Sequence, residues 1–286
     1  AKAVDLNETC AVEVRKECLQ GIRRFIDYEI AFGQSRVLVR VSLDEHSNLL
    51  RYSIDLDWHE ISRKDGLVPQ LQFALHPGYA ASQLRCDVPG GYVDREKLGH
   101  DVPAILYAAP LDEAGGGCLM LTTDCKYGYR FSDEDLHVTL LRASNLPDPY
   151  PESGVNQIEI GVAACASGGW AELTRCATLF SHPVYPYSNG IHAGALPQRR
   201  SLLRVEGARV CGLKASEDGN GLIVRLLNGG EERVQARVAP AADLRSAVLT
   251  DIEERPQKTA GLSGGEAAVA LAPCALETLR LELAQK

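Results

Sequence analysis

Apolar and polar residues alternate with a period of two over much of this chain. Between residues 50 and 58, Leu, Tyr, Ile, Leu and Trp alternate with Arg, Ser, Asp and Asp. A strand places successive side chains on opposite faces, so this pattern predicts a half-buried strand. The same alternation predicts further strands at residues 37–43, 136–140, 222–226, 234–238 and 279–283.

Glycine-rich turn signals separate these runs, at residues 89–91, 115–117, 218–221 and 228–230. The last two flank the predicted strand 222–226, which suggests consecutive hairpins. Helical periodicity is scarce: residues 12–18 fit a short helix or a strand, and residues 241–249 fit a helical turn or two. The pattern as a whole predicts an all-β chain built as an antiparallel β-sandwich.

One long segment, residues 182–200, lacks periodicity and is rich in proline and glycine. Such composition is typical of a linker or loop. We therefore predict a large β-sandwich domain over residues 1–190 and a smaller C-terminal β-sandwich domain over residues 191–286. The alternative is a long surface loop within a single domain.

Composition narrows the function classes. The net charge is −8 and the basic residues are scattered, which argues against a nucleic-acid partner. No apolar run approaches the roughly 20 residues that cross a bilayer, so no membrane partner is expected. Because the chain starts with Ala1 and has its one methionine at Met120, we expect it to be part of a longer protein. The alternative is removal of an initiator methionine or of a leader.

The nine cysteines are odd in number and form no C-x-x-C pair. This pattern predicts reduced, mostly buried thiols rather than a zinc ribbon or a disulfide framework. With no leader segment visible, we expect a cytoplasmic protein.

Two patterns could carry chemistry, but each has a simpler interpretation. Residues 261–265 fit G-x-S-x-G, yet their flanks indicate a flexible linker rather than the strand–turn–helix of a hydrolase elbow. Asp55 and Asp57 share a strand face and could act as a glycosidase carboxylate pair, although a charged solvent face is the commoner cause.

Four histidines could in principle bind a metal ion, but none forms an H-x-H or H-x-x-x-H pair. We expect surface or singly hydrogen-bonded side chains, and no metal site in this chain. The four are His76, His100, His182 and His192.

Arg142 ends the predicted strand 136–142 and is followed by a Pro-Asp-Pro turn at residues 147–149. An arginine at a strand end can present a planar fork to a carboxylate or a sugar hydroxyl. The alternative is a structural salt bridge.

The motifs of this region resemble the large β-domain of family 38 α-mannosidases. They are D-x-K-Y-G-Y at 124–129, T-L-L-R at 139–142 and P-D-P at 147–149, preceded by D-W-x-E at 57–60. The resemblance covers residues 25–283 and includes final strands at 221–226 and 277–281. Two departures are residues 154–158, where the family often has G-x-H-x-F, and residues 227–228, where it favours an aromatic residue and Glu.

The resemblance implies a mutarotase-like supersandwich with a smaller sandwich behind it. It further implies the C-terminal, non-catalytic part of a zinc-dependent, retaining α-mannosidase. The family's zinc site and nucleophile lie in an N-terminal catalytic barrel of the same polypeptide and include H-x-D, which this chain lacks. We therefore expect no catalytic residue and no cofactor here, and an inactive chain when isolated.

The resemblance implies a substrate role for Arg142, which would reach the α-mannoside in the cleft of the intact enzyme. It suggests structural roles for Asp124, Tyr127 and Asp148. The partners expected are the catalytic barrel and the carbohydrate substrate, and a homo-oligomer is left open.

Two alternatives remain open. A free-standing carbohydrate-binding module would need exposed aromatic residues, but aromatics are only 6% of the chain and Trp58 falls on a buried-looking face. A mutarotase-like enzyme would need a converging histidine and carboxylate pair.

Overall fold

The computed structural model describes residues 4–6, 10–62, 68–144, 146–148, 150, 152–188, 190–191, 193–195 and 197–284. It consists mainly of antiparallel sheets, which confirms the predicted all-β class. Two compact units are present: Ala1–Val88 with Val93–Pro183, and Pro89–Tyr92 with Val184–Lys286. The domain limits 1–190 and 191–286 stay a prediction.

The first unit contains a nine-stranded sheet, ordered β1-β2-β3-β4-β13-β10-β9-β6-β7, and a four-stranded sheet, ordered β5-β12-β11-β8. The strands are β1 (Val12–Gln20), β2 (Arg23–Phe32), β3 (Ser35–Asp44), β4 (Leu49–Trp58), β5 (Gln70–Leu75), β6 (Ala81–Val88), β7 (Gly91–Glu96), β8 (Val102–Pro103), β9 (Tyr107–Asp112), β10 (Cys118–Thr123), β11 (Gly128–Ser132), β12 (Asp135–Arg142) and β13 (Gly154–Cys165).

The two sheets of the first unit enclose its main core. On β4, Leu56 and Trp58 are 0% and 2% exposed, and they belong to the same apolar cluster as Phe131 and Val138 of the small sheet. The alternate residues Asp55 and Asp57 face solvent. Burying one large apolar side chain contributes about 1.5–3 kcal/mol, so the period of two decides which face turns inward.

One helix, α1 (Trp170–Ser181), was not predicted. It buries Leu173, Cys176, Ala177 and Phe180, which recur at i, i+3, i+4 and i+7. Leu173, Cys176 and Ala177 belong to an apolar cluster with residues on β9, β10 and β13, on the face of the large sheet opposite the main core. The helical signal was therefore present in the sequence, but it is short and isolated among strands.

The second unit is a smaller sandwich of a four-stranded sheet, β14-β17-β21-β20, and a five-stranded sheet, β15-β16-β22-β18-β19. These two sheets enclose a core of small and branched apolar residues. The strands are β14 (Leu203–Glu206), β15 (Arg209–Ala215), β16 (Leu222–Asn228), β17 (Val234–Pro240), β18 (Leu244–Thr250), β19 (Pro256–Thr259), β20 (Gly261–Ser263), β21 (Glu266–Leu271) and β22 (Ala275–Leu283).

Two local predictions were wrong. Residues 241–249 form no helical turn, because β18 pairs with β22 through most of this segment. The turn at 218–221 does join the hairpin β15–β16, but the turn at 228–230 does not join a second one. Instead β17 pairs with β14 and β21 in the other sheet, so this connection crosses between layers. Residues 12–18, left open between helix and strand, lie in β1.

Candidate functional site

Arg142 lies at the end of β12 and is exposed, and a bulge in the strand directs it outward. The register between β12 and β5 shifts between Thr139 and Leu141, so that Thr139 pairs with Gln72 and Arg142 pairs with Gln70. Directly paired residues point to the same face of a sheet, and a bulge re-aims the side chains that follow it. Arg142 therefore shares the solvent face of the small sheet with Gln70.

No hydrogen bond or ion pair of the Arg142 guanidinium occurs among the described residues. The structural salt bridge considered from sequence is therefore not formed within this part of the chain. With no partner among the described residues, this guanidinium has donors that can bind solvent or a ligand.

The connection after Arg142 is held by its own hydrogen bonds. The backbone N–H of Ala143 donates to the carbonyl of Pro69 at 3.0 Å, and the Ser144 hydroxyl donates to the carbonyl of Leu146 at 3.0 Å. Asp148 accepts a bond from the N–H of Tyr150 at 2.9 Å, which closes an Asx turn. Pro149, the last residue of the P-D-P motif, lies outside the described residues.

The D-x-K-Y-G-Y motif forms the turn between β10 and β11. The hydroxyl of Thr123 accepts from the N–H of Lys126 at 3.0 Å and donates to its carbonyl at 2.7 Å. The carbonyl of Tyr127 accepts from the N–H of Ala104 at 3.1 Å, while the Tyr127 side chain is exposed. Asp124 accepts a long bond, 3.4 Å, from the N–H of Glu159. The structural roles suggested for the side chains of Asp124 and Tyr127 stay a prediction.

The G-x-S-x-G segment is a β-hairpin. β20 pairs with β21 through the turn residues Gly264 and Gly265, whose φ angles are +59° and +81°. Both the nucleophile elbow and the flexible linker are therefore wrong descriptions, because a paired strand rather than a helix follows Ser263.

The carboxylates and histidines do not converge. Asp55 accepts from Gln157 at 3.0 Å, and Asp57 lies 2.9 Å from His59, all on exposed positions. His76 pairs with Asp135 at 2.9 Å, and His192 lies outside the described residues.

Among the residues that the structure describes, no three His, Cys, Asp or Glu side chains could hold a metal ion. The described side chains therefore do not fit the zinc that the resemblance implies.

The cysteines differ in part from the prediction. All nine are free thiols, but only Cys86, Cys118, Cys165 and Cys176 are buried. The four buried thiols lie on β6, β10, β13 and α1, and they belong to the apolar core of the first unit. In the described part of the chain, no helix is long and apolar enough to cross a membrane.

Sequence analysis missed a group of polar residues that share the face of Arg142. The hydroxyl of Thr139 donates to Asp101 at 2.5 Å and accepts from Gln70 at 2.6 Å. A signal was available: the outward positions of β5, β11 and β12 carry neither lysine nor glutamate, which are common on an ordinary solvent face.

The architecture defines a class: a two-unit antiparallel β protein whose described residues form no metal site. Comparison with models of protein families then assigns the chain to a family. The model of the glycosyl hydrolases family 38 C-terminal domain matches residues 5–150. The model of the family 38 C-terminal beta sandwich domain matches residues 209–279. The chain belongs to the C-terminal region of glycosyl hydrolase family 38.

Two solved structures share this fold. A family 38 glycosyl hydrolase from Enterococcus faecalis aligns with a TM-score of 0.76 and 13% identity over 96% of this chain. An alpha-mannosidase from Enterococcus faecalis V583 aligns with a TM-score of 0.75 and 14% identity over 96% of this chain. This chain spans 36% and 35% of those two chains. A comparison with curated protein sequences returned no significant match.

Proposed function

We propose that this chain is the non-catalytic β-region of an α-mannosidase of family 38. In this proposal a catalytic barrel of the same polypeptide, which holds zinc, hydrolyses α-mannosides with retention of configuration. The observation that carries the proposal is the match of two C-terminal family models in the expected order along one chain. The nine free thiols favour a reducing, cytoplasmic location.

Within the intact enzyme, Arg142 is the residue proposed to reach the substrate. Support comes from its exposure, its position at the end of a paired strand and its unpartnered guanidinium among the described residues. A guanidinium held by a rigid strand can donate two parallel hydrogen bonds to sugar or carboxylate oxygens. The main core of the first unit, to which Leu136 and Val138 of this strand belong, keeps the strand in place.

The carbohydrate-binding module and the mutarotase-like enzyme receive less support. Trp58, one of the two tryptophans, is buried and packs edge-on against Phe32 with ring centroids 6.1 Å apart, so it offers no sugar platform. His76 and Asp135 form an exposed pair, and within the described chain they gather no third ligating group.

The test of this proposal is Arg142→Ala in the intact polypeptide, assayed on an aryl α-mannoside. We expect kcat/KM to fall at least about tenfold, equal to about 1.4 kcal/mol of transition-state stabilisation. Unfolding free energy should change by less than about 0.5 kcal/mol, because the side chain is exposed. Arg142→Lys should not restore the rate if planar, bidentate contact is required.

The matched control is Arg24→Ala, since Arg24 is also exposed, on β2 of the same unit. This variant should keep the parent kcat/KM. Unchanged kcat/KM in Arg142→Ala would remove the substrate role. Mannosidase turnover by the isolated 286-residue chain would contradict its non-catalytic assignment.

A further inference from the structure

The solvent face of the four-stranded sheet carries an unusual set of side chains. Outward positions on β5, β12 and β11 hold two glutamines, a histidine, a threonine and an arginine, with an aspartate just before β8. The remaining outward positions include small residues at 74, 128 and 132, so the polar groups stand above their neighbours. We call this set the polar face: Gln70, Gln72, Asp101, Arg130, His137 and Thr139.

Four members of the polar face close a ring of hydrogen bonds and one ion pair. Thr139 donates to Asp101 at 2.5 Å and accepts from Gln72 at 3.3 Å. The amide oxygen of Gln72 accepts from Arg130 at 2.6 Å, and Arg130 Nη1 lies 3.8 Å from Asp101. Gln70 adds a further donor to Thr139 at 2.6 Å. Each side chain is therefore held by neighbours on other strands before any ligand arrives.

The ring leaves donors and acceptors unused. Arg130 Nη1 lies 3.8 Å from Asp101, which is too far for a direct hydrogen bond, so it remains available to donate to a ligand. The amide oxygens of Gln70 and Gln72 can accept beyond the bonds already made, and the half-buried imidazole of His137 adds a donor or an acceptor. Pre-ordered polar side chains bind with less loss of conformational entropy.

The chemistry of this face selects its ligand. A hydroxyl group is a donor and an acceptor at once, so a ligand with adjacent hydroxyls needs both kinds of partner within a few ångströms. Arg130 and Asp101 carry opposite charges, and so do Arg142 and Asp135 on the same sheet face. The face therefore has no excess charge to attract an anion or a cation. We propose that the polar face is a binding site for a neutral saccharide.

This inference does not depend on the catalytic role of Arg142, which lies beside Gln70 at the edge of the face. Binding to this chain and turnover by an intact enzyme are separate measurements. Either can fail while the other holds.

The test is titration of the ¹⁵N-labelled chain with methyl α-D-mannopyranoside and with an α-linked mannotriose. The readout is the side-chain NH₂ signals of Gln70 and Gln72 and the Nε–H signal of Arg130. A shallow site of this kind should bind with a Kd of about 1 mM. Arg130→Met, which removes the donors but keeps the length, should weaken binding at least about tenfold.

Because Arg130 is partly buried and its replacement could disturb folding, Gln70→Leu provides a second variant at an exposed position. It should also weaken binding. The control is Gln157→Leu, since Gln157 is an exposed glutamine that hydrogen-bonds Asp55 on the large sheet. This control should bind like the parent.

Three results would overturn the saccharide site. One is the lack of any shift at these signals up to about 50 mM of both mannosides, far above the expected Kd. Another is the same set of shifts produced by inorganic phosphate, which would make the face an anion site. The third is parent-like affinity in both Arg130→Met and Gln70→Leu.

Discussion

Gly161 lies on β13 at a position where helix α1 leaves no room for a side chain. An ideal Cβ there would lie 2.7 Å from Thr122 Cγ2, 2.8 Å from Phe180 Cδ2 and 3.0 Å from Leu49 Cδ1. Non-bonded carbon atoms are ordinarily about 3.5–4.0 Å apart. A single methyl group would therefore be too close to three side chains at once, one of which belongs to the helix.

Two opposing terms set the size of the effect of Gly161→Ala. Alanine restricts the unfolded chain more than glycine does, which alone would stabilise the protein by about 0.4–1 kcal/mol. Forcing a methyl group into a packed layer costs about 1–3 kcal/mol, because the neighbours must leave their rotamers. Since all three contacts at Gly161 are short, the second term should win. We expect a net destabilisation of about 1–2 kcal/mol, larger for Gly161→Val.

Urea unfolding followed by circular dichroism measures this difference, with the m-value as a check that the unfolded state has not changed. The matched control is Gly99→Ala in the same unit, where no atom lies within 4 Å of the added Cβ and the φ angle is not left-handed. This control should be neutral or up to about 1 kcal/mol more stable. A Gly161→Ala protein as stable as its parent would refute the packing of α1 on this glycine.

Three further predictions concern single side chains. Burial and the nearby Arg130 cation lower the pKa of His137, although three aspartates act in the opposite direction. As the pH falls, the unfolded chain therefore binds a proton at this residue before the folded chain does. The parent should therefore lose stability below about pH 6.5 in urea titrations, by at most about 1.4 kcal/mol per pH unit, and His137→Gln should lose less. Partial burial and the Asp124 carboxylate raise the pKa of Cys125 to about 11. Mass spectrometry should show its alkylation at pH 8 at least about tenfold slower than that of a model thiol. Asn228→Ala removes two bonds, at 2.7 and 2.8 Å, to backbone carbonyls and should cost about 2 kcal/mol in thermal or urea unfolding.

Each of these predictions has a contrary result. Equal pH dependence in the parent and His137→Gln would show that the imidazole titrates alike in folded and unfolded chains. Rapid alkylation of Cys125 would contradict the raised pKa of its thiol. For Asn228, the matched variant is Asn228→Asp, which keeps the shape but not the amide donors. If it were as stable as the parent, the two carbonyl contacts would not contribute.

The alternating pattern of the sequence determined most of the strands and their faces. Residues 50–58 predicted β4 with Trp58 inward and Asp55 and Asp57 outward, and the structure has them so. This succeeds because the direction of a side chain along a strand is a local property with a period of two. The ordered motifs likewise determined the family, since they depend on residue identity and spacing alone.

Tertiary structure decided which strands pair and where single residues point. The alternation in β16 and β17 is alike, yet the two strands lie in different sheets, because pairing depends on distant partners such as β22 and β21. The bulge after Thr139 depends on the register with β5, and it alone turns Arg142 to the polar face. The ring from Gln72 through Thr139 to Arg130 joins three strands, so no local pattern could predict it. Local sequence determines the face of a strand, whereas contacts between distant strands require the packed chain.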